Sequence, residues 1–530
     1  MDQPLKQRQP RRAPLGVAAL TLLLLAPLLM FLAASRDFTG LMSDTPTYVL
    51  LADFFSPYYT SADWFGFLVA RYPFPPLYPI VLGLLGGGSH HVVWTHLLGA
   101  LTTCLGAAAY AYWLSQQDWS RRLAVLHALV FALMPITVFS TITVVSEPLY
   151  ILFSLLALIF IGNDRRPATR WYATAMVLGL AAVIRTVGVT GIAAFLIYWW
   201  LHTRGTRYRG APFVALLPTL VWAGTKWHYG FEVGYVASVF NGSLIDTVLA
   251  LVAQVPANVG ALWQHGVENI DVLRSATVAW ILPVPLTFAF LGFGLRLRDR
   301  RFDAIYFALY AGLVVLWPHR DHAGRFVLCL VPLLLFYMTY GAHFIGKRIT
   351  DQCRVATIRA IPLLLTAALE LPSSALIVYQ IAAYDGSRYT DFVRTSVWFR
   401  QDSFAASKHM ARILAQMFTA IRTVVRHVEP GACITSVYPY SVMLLTQRPS
   451  LFPDPVGTEQ AEFEQTMAQC RYVLILNATN DTFGYPQQYY PYDRLGDAFE
   501  IITDFYYEGV TAEPVVAAIL GHYVNYPEQR

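Results

Sequence analysis

Apolar runs of bilayer-spanning length recur along this chain, at about residues 15–34, 91–114, 123–141, 147–162, 171–184, 187–201, 211–227, 277–295, 303–318, 326–345 and 360–383. A helix needs roughly 20 apolar residues to cross hydrocarbon. There, every backbone N–H and C=O has to be satisfied inside the chain, and runs of this kind can do that only as helices. The sequence therefore predicts a polytopic α-helical membrane protein with about eleven transmembrane helices. Composition agrees: 13% of the residues are charged, against roughly 25% in soluble chains. A charge at mid-bilayer costs about 2.5–3.5 kcal/mol on insertion scales, so spans shed charges. The aromatic share of 14%, with 31 Tyr and 13 Trp, suits interfacial belts.

The first run, Leu15–Ala34, follows the basic lead MDQPLKQRQPRR, and no small-residue cleavage site comes after it. It reads as a retained first helix with a cytoplasmic N-terminus. The positive-inside rule then orients the rest. Alternate gaps hold Lys6/Arg8/Arg11/Arg12, Arg121/Arg122, Arg165/Arg166/Arg170, Arg204/Arg207/Arg209, Arg296/Arg298/Arg300/Arg301 and Lys347/Arg348/Arg354/Arg359. The gaps between them hold scattered cations only. The alternation requires residues 171–201 to be two half-length helices meeting at Arg185, and it places the tail outside. The net charge of +5 is thus an orientation signal, and nucleic acid is not an expected partner.

Three outward segments follow: Arg36–His90, His228–Ala276 and the tail after Ala383. In the first, Tyr72–Pro79 (YPFPPLYP) is proline-rich and reads as extended. In the second, Leu244–Trp263 is apolar but broken by Pro256, and reads as an interfacial helix. The expected domains are a transmembrane module over 1–383, whose loop 36–90 carries the site, and a small extracytoplasmic α/β domain over 384–530. In the latter, Ser403–Val428 is helical in pattern, Ala432–Val437 and Tyr472–Asn477 are short strands, and Val510–Ala518 is a weaker one. The five cysteines form no metal-binding spacing. Cys433 and Cys470 form a disulfide if their domain lies outside; the plainer reading is two small hydrophobes beside strands. The sequons at Asn241, Asn477 and Asn480 carry no functional weight.

Chemistry-bearing residues gather in the outer segments. Asp44 lies about ten residues past the first helix, where a base at the water–lipid boundary would sit. Its alternative role is to start a helix near Pro46. Glu147 opens a span, a position that a helix dipole also favours. His319, Arg320, Asp321, His322 and Arg325 form an outward cationic cluster that suits an anion such as phosphate, unless Arg and Asp pair internally. Arg185, among apolar residues, needs a partner. Glu370 is the acid at membrane depth, and no role is assigned to it. Arginines can offset charge developing on a phosphate leaving group while one carboxylate deprotonates an attacking hydroxyl.

The order of these features resembles the GT-C superfamily of polyprenyl-phosphate-sugar-dependent glycosyltransferases, and within it the bacterial protein O-mannosyltransferases and aminoarabinose transferases. It is carried by Asp44 and Tyr48, Phe74-Pro75-Pro76-Leu77-Tyr78-Pro79, Ser146-Glu147-Pro148, Arg185, and Arg325 leading to Val331-Pro332-Leu333, and it covers residues 15–383. The resemblance implies transfer of a sugar from a polyprenyl-phosphate carrier to a glycan, lipid or protein acceptor outside the cell inner membrane. Asp44 matches the acid that acts as base or orients the acceptor. Tyr48 matches a neighbouring aromatic, and Arg325 a cation near the lipid phosphate. Tyr78, Glu147, Arg185, His319 and Arg320 complete the expected substrate-binding set. Protein mannosyltransferases show two adjacent acids where Asp44 is followed by Thr45, which weakens a protein acceptor. No metal and no other cofactor is expected.

Two other classes compete. A transporter or flippase would place ionisable sites near the midplane of internal repeats, and no repeat is evident. An O-antigen ligase or polymerase of envelope glycan assembly would carry its large outer loop between late spans, whereas the largest outer block here is the tail.

Overall fold

The computed structural model describes residues 12–34, 44–60, 74–117, 119–162, 167–203, 207–228, 244–270, 280–317, 323–349, 352–383, 417–451, 460–476, 496–506 and 516–524. The chain divides into two compact units. One comprises Met1–Ala34, Val69–Tyr78 and His96–Val378; the other comprises Ser35–Leu68, Pro79–Thr95 and Tyr379–Arg530.

The first unit is built of apolar helices. Among the described residues, four are long and apolar enough to cross a membrane: Pro14–Ala34, Ser89–Gln116, Thr186–Thr203 and Val355–Ala375. A fifth is obtained if Arg121–Leu133 and Pro135–Ile142, bent by 61°, count as one broken span. These helices suit a multi-pass membrane protein, and among the described residues four or five reach full crossing length, so the eleven expected are not confirmed. The reason is length. Glu147–Ile161 has 15 residues and Phe302–Val315 has 14. At 1.5 Å per residue these reach about 21–23 Å, short of the ~30 Å hydrocarbon core.

Local sequence explains the breaks. Met134 is extended because Pro135 follows it, and the proline then opens the next helix, where its missing N–H costs nothing. The expected break at Arg185 is present. Helices Pro167–Ile184 and Val189–Thr203 are joined by an extended Arg185 and a 3₁₀ turn, Thr186–Gly188. Gly188 rests on the backbone of Ala181 and Ala182, and Gly191 on Leu178, so the chain returns alongside itself.

Two expectations about proline need correction. Pro256 does not break its segment: one helix runs Leu244–Ile270, and the Asn258 amide donates to the carbonyls of Val315 and Trp317, each at 2.8 Å. The YPFPPLYP segment is not extended throughout, because Leu77–Leu84 is helical. Pro79 falls in the first turn, which tolerates proline.

Helices Pro283–Arg298 and Val331–Ile349 approach each other through glycine. A Cβ on Gly292 would overlap the carbonyl oxygen of Tyr337, and one on Gly341 that of Phe288. Close contact through small residues replaces the hydrophobic drive that lipid removes. At the end of this pair, Arg296 is not a free topogenic charge. Its Nε donates to Asp303 at 3.0 Å, and the Tyr337 hydroxyl donates to the same carboxylate at 3.1 Å.

The second unit holds a five-stranded sheet. Strands β1 (Ile434–Thr435), β2 (Ser450–Leu451), β3 (Tyr472–Leu476), β4 (Phe499–Tyr506) and β5 (Val516–Tyr523) lie in the order β2-β1-β3-β5-β4. β1 is parallel to β2 and β3, and β5 is antiparallel to β3 and β4. β3 is buried along its whole length, as its run Tyr-Val-Leu-Ile-Leu requires. Met417, Ile421, Val424, Val473, Leu474 and Leu520 form the core. A disulfide joins Cys433 and Cys470, which resolves the open reading of that pair as a bond. β4 had not been anticipated, and β5 lies further on than the weak strand expected at Val510–Ala518.

Helix Asp44–Phe55 belongs to this unit and packs against helix Pro439–Thr446. Asp44 sits in its first turn, close to the start expected near Pro46.

Candidate functional site

In the first unit, three of the expected residues meet. Glu147 opens helix Glu147–Ile161, with Pro148 at the next position. Glu147 is 1% exposed. Arg185 reaches it from the break in the helical hairpin, Nη1 to Oε1 at 2.7 Å, and the same nitrogen donates to the Ser146 hydroxyl at 3.1 Å. Arg325 reaches the same oxygen from the short helix Ala323–Leu328, through Nε and Nη2, both at 2.8 Å.

These cations are held by groups that the sequence reading did not single out. The Phe326 ring lies 5.5 Å from the Arg185 guanidinium carbon, close enough for a cation–π contact. The Phe326 carbonyl accepts the Tyr310 hydroxyl at 3.2 Å. Beneath them, Tyr150 and Tyr306 join hydroxyls at 2.8 Å, with Ser154 at 3.3 Å. Every donor and acceptor in such a setting needs a partner, because an unpaired polar group in hydrocarbon costs several kcal/mol. Tyr306 and Tyr310 fall four residues apart on one helix, a spacing legible as one face. That this face meets the Arg185 hairpin was not legible.

Asp44 and Tyr48 lie on helix Asp44–Phe55 of the second unit. Four residues apart, they share a face; Asp44 is half-buried and Tyr48 is buried. On the opposite side of that helix, Asp53 accepts the Ser89 backbone N–H at 2.9 Å, and its carboxylate fills the space beside Gly88. Burial raises the Asp53 carboxyl above its ordinary value, against the smaller lowering influence of the Ser89 hydrogen bonds and of His90. Tyr78 is buried in the first turn of helix Leu77–Leu84, in the first unit. His319 and Arg320 lie outside the described residues. Among the described residues, no cluster of His, Cys, Asp and Glu has the arrangement to hold a metal ion.

No known family model matches the sequence, and no curated protein matches it. The fold is similar to that of a solved membrane transferase structure. Among solved structures, ArnT from Cupriavidus metallidurans bound to undecaprenyl phosphate aligns with a TM-score of 0.50 at 11% identity, over 96% of this chain and 98% of that one. The Archaeoglobus fulgidus oligosaccharyltransferase tethered to an acceptor peptide aligns with a TM-score of 0.48 at 12% identity, over 94% and 74%. At such identities the likeness is one of fold.

Proposed function

We propose that this chain is an integral-membrane glycosyltransferase that moves a sugar from a polyprenyl-phosphate carrier to an acceptor hydroxyl on the outer face of a cell inner membrane. The observation that carries the reading is the convergence of Arg185 and Arg325 on Glu147 at the ends of three apolar elements. Guanidiniums present planar forks of donors that match phosphate oxygens, and Glu147 keeps both forks gathered while no anion is bound. The ArnT structure of like fold holds a polyprenyl phosphate, which supports a lipid phosphate as the anion.

In the proposed reaction the acceptor oxygen attacks the anomeric carbon while the bond from that carbon to the phosphate oxygen breaks. The electron pair of the broken bond leaves with the phosphate, whose charge Arg185 and Arg325 offset. The proton of the acceptor hydroxyl passes to the Asp44 carboxylate. A single base on the face opposite the leaving group gives inversion at the anomeric carbon. Tyr48, Tyr78, His319 and Arg320 are assigned to substrate binding on the strength of the resemblance. The Cys433–Cys470 disulfide favours an oxidising compartment for the sheet domain, in line with an outward tail and a cytoplasmic N-terminus.

The test is transfer from a panel of radiolabelled polyprenyl-phosphate sugars in reconstituted membranes. Asp44→Asn should lower turnover about 10²–10⁴-fold, the usual contribution of a positioned base. Arg325→Lys, which keeps charge but loses the fork, should also lower it. Turnover indifferent to Asp44→Asn removes Asp44 as the base. Failure of every donor with folded protein removes the transferase reading.

A further inference from the structure

The C-terminal end of helix Leu77–Leu84 closes in the common glycine-capped turn, to which two side chains add donors. The last carbonyls of a helix lack partners within it. Here protein donors take all of them. Leu85 N–H donates to Val81 at 3.1 Å, Gly87 N–H to Leu82 at 2.8 Å and Gly86 N–H to Gly83 at 3.0 Å. The next two carbonyls are reached by side chains: the Tyr58 hydroxyl donates to Leu84 at 3.3 Å and the Trp94 indole N–H to Leu85 at 2.8 Å. Both rings flank Gly86, whose φ of +77° makes the turn.

With their polar atoms engaged by the helix-end carbonyls, the two rings and the leucines stand exposed. Tyr58 is 64% exposed, Leu84 54%, Leu85 53% and Trp94 45%. Under that apolar exposed surface the Leu84 and Leu85 carbonyls are met by side-chain donors, as a setting short of water requires. Tyr and Trp, apolar in body with one polar tip, are the side chains enriched at that boundary. Trp94 also heads an exposed stripe on helix Val92–Gln116 that continues through Leu101 and Leu105. Trp94 thus lies in the first turn of a helix that is long and apolar enough to cross a membrane.

We infer that Tyr58, Leu84, Leu85 and Trp94 form an interfacial anchor whose occupant is the lipid bilayer, at the level where headgroups meet acyl chains. The anchor fixes the turn between helix Leu77–Leu84 and the following span at a set depth. It is independent of the catalytic reading and stands whether or not that reading holds.

The experiment uses the full chain with Cys353→Ser and a single added cysteine, Leu85→Cys, carrying an environment-sensitive nitrobenzoxadiazole label. The labelled protein is reconstituted in phosphatidylcholine vesicles with nitroxide lipids of graded depth. Gln447→Cys, exposed at the end of helix Pro439–Thr446 in the sheet domain, serves as reference. The expected result is strong quenching of the label at 85 by the shallow nitroxide and little at 447. No quenching at 85 in monodisperse, folded protein overturns the anchor, and points to a protein partner on the patch. Equal quenching at both positions overturns it too. A second variant pair, Tyr58→Phe and Trp94→Phe, removes the two donors and keeps an aromatic ring at each position. The pair should lower the melting temperature in vesicles, where no water replaces the lost donors; an unchanged value also counts against the proposal.

Discussion

Arg325 lies 178 residues beyond Glu147 in the chain, yet its Nε and Nη2 both fall 2.8 Å from one oxygen of that carboxylate. Arg185 adds a third short contact to the same oxygen, at 2.7 Å. Three helical elements distant in sequence are thus pinned at one buried point. A carboxylate so placed is worth more for what its removal exposes than for the pairing itself.

Replacing Glu147 therefore tests the architecture before it tests catalysis. Glu147→Gln keeps the shape but leaves two guanidiniums buried without their shared anion. It should cost about 3–5 kcal/mol of stability, measured by unfolding in detergent. Glu147→Ala with Arg325→Ala should cost less than the two single changes added together, with a coupling of about 0.5–3 kcal/mol. Strict additivity would mean that the contacts carry no energy.

A different sign of pH dependence is expected at Asp53. Burial raises its carboxyl, so the folded protein keeps the proton to higher pH than the unfolded chain does. The associated stability is fully present below the unfolded value, about 3.9, and is lost as pH rises through the folded value. Asp53→Asn preserves an acceptor for the Ser89 N–H and removes the titration. The variant should match wild type in acid and exceed it in melting temperature toward neutral pH. A difference that does not vary with pH, or that favours wild type at pH 7, contradicts this.

How much of this was legible beforehand divides along one line, between local pattern and long-range contact. The helices, the reversal at Arg185 and the buried strand Tyr472–Leu476 follow from apolar runs, an isolated charge and local punctuation, all of which act within a few residues. Glu147, Arg185 and Arg325 were each nominated because a charge near a span needs a reason. Their meeting on one oxygen was not legible, since pairing across 178 residues leaves no local trace. The reverse holds for Arg296, whose charge fitted an orientation rule while its guanidinium pairs with Asp303 seven residues on. The strand Phe499–Tyr506 was missed because it is largely exposed and lacks the alternation that marks a half-buried strand. Pro256 misled by type: proline weakens a helix, but Leu244–Ile270 keeps its course through it.

The glycine contact between helices Pro283–Arg298 and Val331–Ile349 yields a steric prediction. Any side chain at Gly341 meets the Phe288 carbonyl oxygen, and backbone cannot rotate aside as a side chain can. Gly341→Ala should destabilise by roughly 1–3 kcal/mol, the usual cost of overpacking, and Gly341→Leu should prevent recovery of folded protein. Gly294, two residues past Gly292 and with open space at its Cβ, is the control. Gly294→Ala should be neutral or slightly stabilising. If Gly341→Ala behaves like Gly294→Ala, the two helices do not depend on this approach.

The disulfide offers a test of both stability and orientation. Cys433 and Cys470 close a loop with a sequence separation of 37. On chain entropy alone such a loop stabilises by about 4 kcal/mol, and measured values for native bonds run about 2–5 kcal/mol. Cys433→Ser should lower the melting temperature of the sheet domain, and so should reductant on wild type; reductant on the variant should do nothing further. In membranes quenched with a maleimide, the described cysteines Cys104 and Cys329 are buried, so reduction should expose two additional thiols in wild type. An outward tail requires that those two thiols react with an impermeant reagent in intact cells after reduction. Labelling only after the membrane is broken would leave the bond in place but turn the tail inward, and with it the alternation of basic loops from which the orientation was drawn.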